Sequence, residues 1–478
     1  MENEMILPAI VLIPTIGALI LPLLGWFSIR IRNLCALGFV IASLVLTIAI
    51  LPTVFNGQTI TAYIPFGNVF NLNFYADGLA VFMAMVSASI SAIIVFYSFG
   101  YISHYENQNE YYLMVVLFFG GMMGLVFSNN LIFLYLFWEI TAITSWRLIG
   151  FFREKQHVIR ADKAFLVTML GSVLMLIGFI SIYQQNGSFE LSLLKNSHIS
   201  NLVVILLLAG ILSKSATLPL HTWLPDAGVA PSPVTALLHA ALLVKIGIYV
   251  FARLFIATGF AVDEYWHTVV PVIAGASALI SAGAAMRETD LKRIIAYSTV
   301  SQIGFIFLGL SIGNEIGVVG AMLYVLMHGL AKGGLFLCAG VVEQNTKTKD
   351  IMRMGGLIKT MPITAMSFLL CSFSVMGIPP FGGFFSKYMV ITAAVQSNQL
   401  WISFIFLAGA IMTIIYLLRV FNLVFMGQPK AQPVKEGSAV MLISVALLTA
   451  LSLAGGILIY YPSQFLQLTL LQLPGIIR

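Results

Sequence analysis

The chain has 478 residues, of which 60% are hydrophobic and only 9% are charged, and its formal net charge is +6. Soluble domains carry about 25% charged residues, because a globule must cover its surface with groups that water solvates. The composition therefore excludes a cytosolic enzyme, a nucleic-acid-binding protein and a disulfide-stapled secreted domain, and it predicts an all-α polytopic membrane protein.

Apolar runs long enough to cross a membrane recur along the whole chain. A spanning helix needs about 20 apolar residues, so a chain of this length has room for roughly 14 spans. The stretch 55–76, which includes Pro65, predicts an extended loop or a hairpin. The predicted spans are 5–27, 33–54, 77–102, 111–128, 130–151, 162–184, 201–222, 229–257, 266–286, 292–312, 317–342, 360–396, 400–426 and 438–461.

The loops between these spans divide the basic residues unequally. One side receives Arg30, Arg32, Arg153, Lys155, Arg160, Lys163, Arg287, Lys292, Arg293, Lys347, Lys349, Arg353, Lys359, Lys430 and Lys435. The other side receives only Lys195, Arg253 and Arg478. Cytoplasmic or matrix loops are enriched in Lys and Arg, so the first side is predicted to be the inner one. Both termini then lie on the opposite, outer side.

Five charged residues fall well inside the predicted spans, away from their ends. Each costs roughly 2.5–3.5 kcal/mol at the bilayer centre, so such residues persist only when they are paired, hydrated or neutral. Burial favours the uncharged form of an amine, which allows a lysine to exchange a proton at working pH. The five residues are Glu139, Lys214, Lys245, Lys332 and Lys387.

Structural explanations compete with this hypothesis. A lysine can extend its amine to the membrane interface, and a carboxylate can be buried by a lysine only to specify packing. Arg147 and Arg419 lie near the ends of their spans, where an extended side chain is the better explanation.

Two histidines accompany the lysines. His328 and Lys332 are four residues apart and so share one helix face, where a proton can pass between them directly or through one water. His239 and Lys245 are six residues apart, which places them on different faces and predicts different neighbours. The alternative for each histidine is a simple hydrogen-bonding role.

Helix breakers lie beside two of the lysines. Pro219 follows Lys214, and Pro379 and Pro380 precede Lys387. A proline leaves the carbonyl four residues earlier without its helical donor, and freed backbone survives at membrane depth only inside protein or along a wet cavity. The freed carbonyls are those of Ser215, Val375 and Met376. Helices broken at corresponding places in two halves indicate an ion path, whereas simple packing kinks are the alternative.

The sequence offers no ligand set for a redox cofactor or a metal. Cys35, Cys338 and Cys371 each stand alone in an apolar run, with no Cys-x-x-Cys pattern or Cys/His cluster. No glycine-rich phosphate-binding loop lies between a strand and a helix. We therefore expect no cofactor in this chain.

Several motifs around the charged residues resemble the antiporter-like membrane subunits of respiratory complex I, Mrp-type sodium/proton antiporters and membrane-bound hydrogenases. The resemblance covers roughly residues 75–430. The motifs are Trp138-Glu139 before Ser145-Trp146, Lys214-Ser-Ala with Pro219-Leu-His-Thr-Trp-Leu-Pro225-Asp-Ala, Pro231-Ser-Pro-Val-Thr-Ala-Leu-Leu-His239, His328-Gly-Leu-Ala-Lys332 and Gly377-Ile-Pro-Pro-Phe-Gly-Gly-Phe-Phe-Ser-Lys387.

The resemblance implies about 14 transmembrane helices, in which helices 4–8 and 9–13 form two inverted repeats with discontinuous seventh and twelfth helices. The implied domains are N-terminal helices at 1–110, a first repeat at 111–257, a second repeat at 266–426 and a last helix with its tail at 438–478. Glu139 would be the fifth-helix carboxylate, and Lys214 its seventh-helix partner.

The resemblance also implies a hydrated polar axis halfway through the membrane. Lys245 would be its central lysine, with His239 beside it. His328 and Lys332 would continue the axis. Lys387 would be the terminal lysine, which exchanges protons with one side of the membrane or with the next subunit.

Two positions depart from the family pattern. Ser172 stands where the largest family members carry an acid, which favours the shorter type of family member. Arg147 replaces a common apolar residue, and it either tunes Glu139, eight residues earlier, or pairs at the surface. The translocated ion, proton or sodium, stays open.

The implied function is that of a proton- or sodium-translocating subunit in a redox-driven complex, such as a respiratory dehydrogenase or a membrane-bound hydrogenase. Its partners would be other membrane subunits, including homologous antiporter-like ones, and iron–sulfur or nickel–iron subunits, in a prokaryotic plasma membrane and without nucleic acid. The main alternative is a D-type component of an Mrp sodium/proton antiporter. A stand-alone solute carrier and a purely structural membrane arm are further alternatives.

Overall fold

The computed structural model describes residues 2–66, 70–428, 435–470 and 473–476, so Lys430 and Arg478 of the loop count lie outside the described residues. Most of the described chain is helical. The first helices are α1 (Glu2–Phe27), α2 (Ile29–Phe55), α3 (Gly78–Tyr101), α4 (Gln108–Phe127), α5 (Leu131–Ile149), α6 (Lys155–Asn186), α7 (Asn201–Lys214), α8 (Trp223–Asp226), α9 (Ser232–Ala236) and α10 (Leu243–Phe251). The others are α11 (Trp266–Arg287), α12 (Leu291–Ile312), α13 (Glu315–Thr346), α14 (Pro362–Met376), α15 (Gly382–Gln396), α16 (Leu400–Phe425), α17 (Ala439–Ile457) and α18 (Tyr460–Leu470).

Twelve helices in the described ranges are long and apolar enough to cross a membrane, counting Ser232–Ala257 as one. The other two predicted spans, 201–222 and 360–396, are interrupted after α7 and after α14. Large apolar side chains face outwards, among them Leu166 of α6 and Phe404 of α16. Such a surface is unfavourable in water and suits a bilayer. The chain is therefore an integral, multi-pass membrane protein.

The stretch between α2 and α3 forms a β-hairpin, which confirms one of the two predicted alternatives. Strand β1 (Ile60–Phe66) pairs antiparallel with β2 (Phe70–Ala76), in a register that joins Ile60 to Ala76. The hairpin leads directly to Asp77, whose Oδ1 accepts a hydrogen bond from the Ala80 amide at 2.9 Å and so caps the first turn of α3.

Three spans form the interior of the bundle. Ser232–Ala257, α12 and α13 are each 94% buried over their most apolar stretch, whereas α2 on the outside is only 28% buried. Polar side chains on these three spans therefore contact protein rather than lipid. They can carry an internal polar path without exposing charge to hydrocarbon.

Three basic residues counted above as loop charges, Arg32, Arg253 and Lys292, are buried. Arg253 lies within the helical segment Ala252–Ala257, where NH1 and NH2 donate to the two carboxylate oxygens of Asp77 at 2.5 and 2.8 Å. Lys292, in the first turn of α12, pairs with Glu343 at 2.5 Å. The assignment of Arg253 to an outer loop is wrong, because its carboxylate partner is 176 residues away and local hydropathy does not reveal it.

Candidate functional site

Lys214 is the last residue of α7, and its side chain is completely buried. Its Nζ donates to the Trp138 carbonyl oxygen at 3.1 Å and lies 5.1 Å from the centre of the Trp138 ring. An aromatic face attracts a cation at this distance. On the far side of the interruption, Trp223 Nε1 donates to the Ser213 carbonyl at 2.9 Å and ties α8 back to the end of α7.

Glu139 follows Trp138 on α5. In the described part of the chain its Oε1 is buried without a hydrogen-bond partner, and no ion pair within 4 Å joins Glu139 to Lys214. The predicted Glu139–Lys214 pair is therefore open in this structure. The Lys214 amine binds the carbonyl oxygen of Trp138, the residue before Glu139. A buried carboxylate oxygen without a hydrogen-bond donor is unfavourable, so Coulomb attraction between Glu139 and Lys214 favours closure of the gap.

Arg147 pairs away from the site, which resolves the alternative left open by the sequence. Its Nε bonds Glu110 at the start of α4, and Arg153 NH2 donates to the same carboxylate at 2.6 Å. Arg147 therefore joins α5 to the first turn of α4 and does not bond Glu139.

Lys245 and His328 meet between α10 and α13. The Lys245 Nζ lies 2.7 Å from His328 Nδ1, and both side chains are completely buried. Either group can hold a proton shared across such a hydrogen bond. The contact joins the two predicted repeats, because Lys245 lies in the first (111–257) and His328 in the second (266–426).

His239 contacts different neighbours from Lys245, as their spacing predicts. Its ring centre lies 4.4 Å from that of Phe336, and neither ring nitrogen has a hydrogen-bond partner among the described residues. It belongs to a π-helical turn at Leu237–Ala241, and a second π turn follows at Ala252–Ala257. Single π turns occur often at functional sites.

Lys332 points away from His328 although both lie on one face of α13. Its Nζ donates to Ser298 Oγ at 2.6 Å and to the Ile295 carbonyl at 3.1 Å, both on α12. His328 and Lys332 do not contact each other directly in this structure, because each side chain bonds a group on another helix.

Lys387 binds a carbonyl that a proline releases. Its Nζ donates to the Val375 carbonyl oxygen at 2.6 Å, which confirms Val375 as a carbonyl left free by Pro379. Close approach of α15 to α14 requires glycine at 383, since an added Cβ would lie 1.9 Å from the Ser374 carbonyl oxygen. The interruption therefore supplies both the acceptor and the space for the lysine.

The four amines share one electrostatic property. In the described residues, no carboxylate lies within 4 Å of any of them, and their acceptors are carbonyls, a hydroxyl and an imidazole. Neutral acceptors compensate a buried charge incompletely. None of the four amines therefore has a counter-charge that would hold its proton in place, and the arrangement is suited to passing protons between them.

The sequence prediction missed the polar residues that surround Lys332 and Lys387. They lie at helical spacings that place each pair on one face, four residues apart on α12 and three apart on α16. This spacing within apolar spans was the available signal. The residues are Ser298 and Gln302 on α12, Tyr324 on α13, and Thr413 and Tyr416 on α16.

Comparisons with known proteins agree with this architecture. The solved structure of the Mrp complex from a Dietzia species contains a chain that superposes with a TM-score of 0.90 at 22% identity, covering 98% of this chain and 97% of that one. A chain of the archaeal membrane-bound sulfane sulfur reductase superposes with a TM-score of 0.89 at 23% identity, with coverage of 98% and 97%. At these identities the likeness concerns the fold.

Curated relatives are more similar in sequence. The Na(+)/H(+) antiporter subunit A1 of Staphylococcus haemolyticus is 34% identical, and that of Staphylococcus aureus is 33% identical, each over 94% of this chain. The chain spans 60% of the length of these relatives.

Family models cover much of the chain. Residues 63–112 match the model described as the N-terminus of chain 5 of NADH-ubiquinone oxidoreductase (complex I). Residues 128–413 match the model described as NADH:quinone oxidoreductase/Mrp antiporter, TM. They make up more than half of the chain and include Lys214, Lys245, Lys332 and Lys387 and both interruptions. The chain belongs to the transmembrane family of NADH:quinone oxidoreductase and Mrp antiporter subunits.

Proposed function

We propose that this chain is an ion-translocating subunit of a multisubunit membrane complex and that it moves protons along a buried axis. The observation that carries the proposal is the set of four buried amines bonded only to neutral acceptors, with Lys245 and His328 in contact at 2.7 Å between the two halves of the bundle. The test is transport of protons, driven by sodium or by a redox reaction, in vesicles that contain the complete complex.

The proposed path starts on the inner side, near the interruption after α7. A proton reaches Lys245 and His328, continues through Lys332 to Lys387, and leaves on the outer side. His239 lies beside the path, packed against Phe336. A positive charge on Lys214 repels a proton on Lys245 without touching it. Closure or opening of the contact between Lys214 and Glu139 therefore gates the movement of the proton.

The gate makes Glu139 the residue to change. Two unit charges about 7 Å apart interact by roughly 2–3 kcal/mol at an effective dielectric of 20, enough to move a proton from one amine to another. Glu139→Gln keeps the shape and removes the charge, so we expect transport to fall by about tenfold with normal assembly. Proton uptake by vesicles, normalised to assembled complex, measures this. Wild-type transport by an assembled Glu139→Gln complex would refute the gate.

The wider architecture belongs to the same proposal. We propose fourteen crossings, of which the twelve candidate spans of the described residues and the two interrupted segments would be the members. We propose helices 4–8 at 111–257 and helices 9–13 at 266–426 as inverted repeats, with helices 1–3 at 1–110 and the last helix at 438–478 outside them. The excess of basic residues on one side supports an orientation with both termini outside. A prokaryotic plasma membrane is proposed because the 33–34% identical relatives are bacterial.

The four amines can pass protons but supply no energy to drive them, so the complex needs an energy source. Two sources fit this chain, a redox reaction and a sodium gradient. A redox-driven complex would add iron–sulfur or nickel–iron subunits beside homologous antiporter-like subunits. An Mrp-type sodium/proton antiporter is favoured by the 33–34% identical relatives, which are themselves named as Na(+)/H(+) antiporter subunits.

Co-purification separates these two candidates. The tagged chain is isolated in mild detergent, and its associated subunits are identified together with their iron and nickel content. We expect a stoichiometric set of membrane subunits in both cases. Stoichiometric iron identifies the redox-driven complex, whereas membrane subunits without metal identify the antiporter. A chain isolated alone, and active alone, would contradict the multisubunit proposal.

A further inference from the structure

A chain of hydroxyl groups leads away from Lys332. Lys332 Nζ donates to Ser298 Oγ at 2.6 Å, and that oxygen lies 2.6 Å from the Tyr416 hydroxyl. The Tyr416 hydroxyl donates to Thr413 Oγ1 at 3.3 Å. The chain thus crosses from α13 through α12 to α16, and all four side chains are completely buried.

A second set of contacts approaches the same threonine from Lys387. The Lys387 Nζ lies 5.3 Å from the centre of the Tyr324 ring. The Tyr324 hydroxyl donates to Gln302 Oε1, and Gln302 Nε2 donates to Thr413 Oγ1 at 3.2 Å. The two sets meet at Thr413 and form one polar bridge between the two lysines. The polar bridge consists of Ser298, Gln302, Tyr324, Thr413 and Tyr416.

Thr413 has no unused hydrogen-bonding capacity. Its oxygen accepts from Tyr416 and from Gln302, and its hydroxyl donates to the Gly409 carbonyl at 2.7 Å. A hydroxyl offers one donor and two acceptor sites, so every site is occupied. The direction of the neighbouring hydroxyls is therefore fixed by the groups at the ends of the polar bridge.

The proton on Lys332 sets that direction. A protonated amine can only donate a hydrogen bond. The Ser298 hydroxyl therefore accepts from Lys332 and donates to Tyr416, and the Tyr416 hydroxyl donates to Thr413. A neutral amine can accept, which allows Ser298 and Tyr416 to turn their hydrogens toward Lys332. The Thr413 oxygen then no longer accepts a hydrogen bond from Tyr416. This rotation moves no proton along the polar bridge, and the Gln302 amide, whose donor and acceptor are different atoms, is no site for a proton to hop through.

We propose that Thr413 and Tyr416 are positioning residues that couple the protonation state of Lys332 to Lys387. The proposal rests on the proposed function, because it assigns the link between two steps of the same path. Tyr416 and Gln302 both donate to the Thr413 oxygen, so loss of the Tyr416 donor changes the strength of the bond from Gln302. Gln302 in turn holds the Tyr324 ring beside Lys387. Release of a proton by Lys332 thereby changes the surroundings of the next lysine.

Thr413 offers a matched pair of variants. Thr413→Val removes the oxygen and keeps the shape, so we expect transport in vesicles containing the complete complex to fall at least fivefold. Thr413→Ser keeps the hydroxyl and is expected to restore transport to within twofold of the wild type. Equal loss in both variants would overturn the proposal, because it would indicate a packing role.

Tyr416→Phe tests the same link from its other end. We expect the fivefold loss again, and no further loss when it is combined with Thr413→Val, because both changes cut one chain. Tyr111→Phe is the control, since its equally buried hydroxyl bonds Ser98 at 2.7 Å outside the polar bridge. Full transport by Tyr416→Phe in a complex whose wild type transports would overturn the coupling alone. Absence of transport in the wild type would instead overturn the proposed function.

Discussion

Replacement of Lys245 by Met is expected to abolish most ion transport while the complex assembles normally. The Lys245 amine is the group that contacts His328 at 2.7 Å, and no other side-chain amine in the described structure bridges α10 and α13. Methionine fills a similar volume without a titratable group. Removal of a positioned proton-transfer group costs on the order of 10²-fold, and we expect a loss of this size. The measurement is the initial rate of proton movement in vesicles, divided by the amount of complex.

The control for this prediction is Lys195→Met. Lys195 is an exposed lysine in the segment before α7, so its loss removes the same charge without touching the buried axis. Its transport should stay within twofold of the wild type. Substantial transport by Lys245→Met would contradict a path through this lysine, and equal losses in the two variants would point to a general effect of charge.

Breakage of the buried Asp77–Arg253 pair is expected to cause the largest loss of stability. Their side chains are only 4% and 6% exposed, and two hydrogen bonds of 2.5 and 2.8 Å join them. A buried charge left without its partner costs about 3–5 kcal/mol. Arg253→Met should therefore lower the free energy of unfolding by about this amount. Unfolding of the purified protein in mixed detergent micelles, followed by loss of helical signal, measures the change.

Two further variants separate the ion pair from other effects. Asp77→Asn combined with Arg253→Met leaves no charge, and asparagine still caps α3, so the double variant should be more stable than Arg253→Met alone. Asp263→Asn changes a largely exposed contact with the His198 ring at 3.7 Å, and should change the stability by less than about 1 kcal/mol. Equal effects at both pairs would contradict the role of burial.

The sequence predicted those features whose causes are local. Length and hydropathy predicted the spans, since a helix must satisfy its own backbone in a bilayer. The interruption beside Lys387 was predictable because proline removes a specific donor, and the freed Val375 carbonyl is indeed the acceptor used by that lysine. The five intramembrane charges were equally clear, because few charged residues interrupt apolar runs.

Only the tertiary structure decided which groups these side chains contact. The pairing of Lys245 with His328, of Lys332 with Ser298, and of Arg253 with Asp77 joins residues far apart in the chain. In a bundle whose helices are apolar on every side, the sequence pattern leaves the rotation of each helix undetermined, because lipid and protein neighbours are equally apolar. The opening of the predicted Glu139–Lys214 pair and the polar bridge across α16 follow from that rotation, so they became visible only once the helices were packed together.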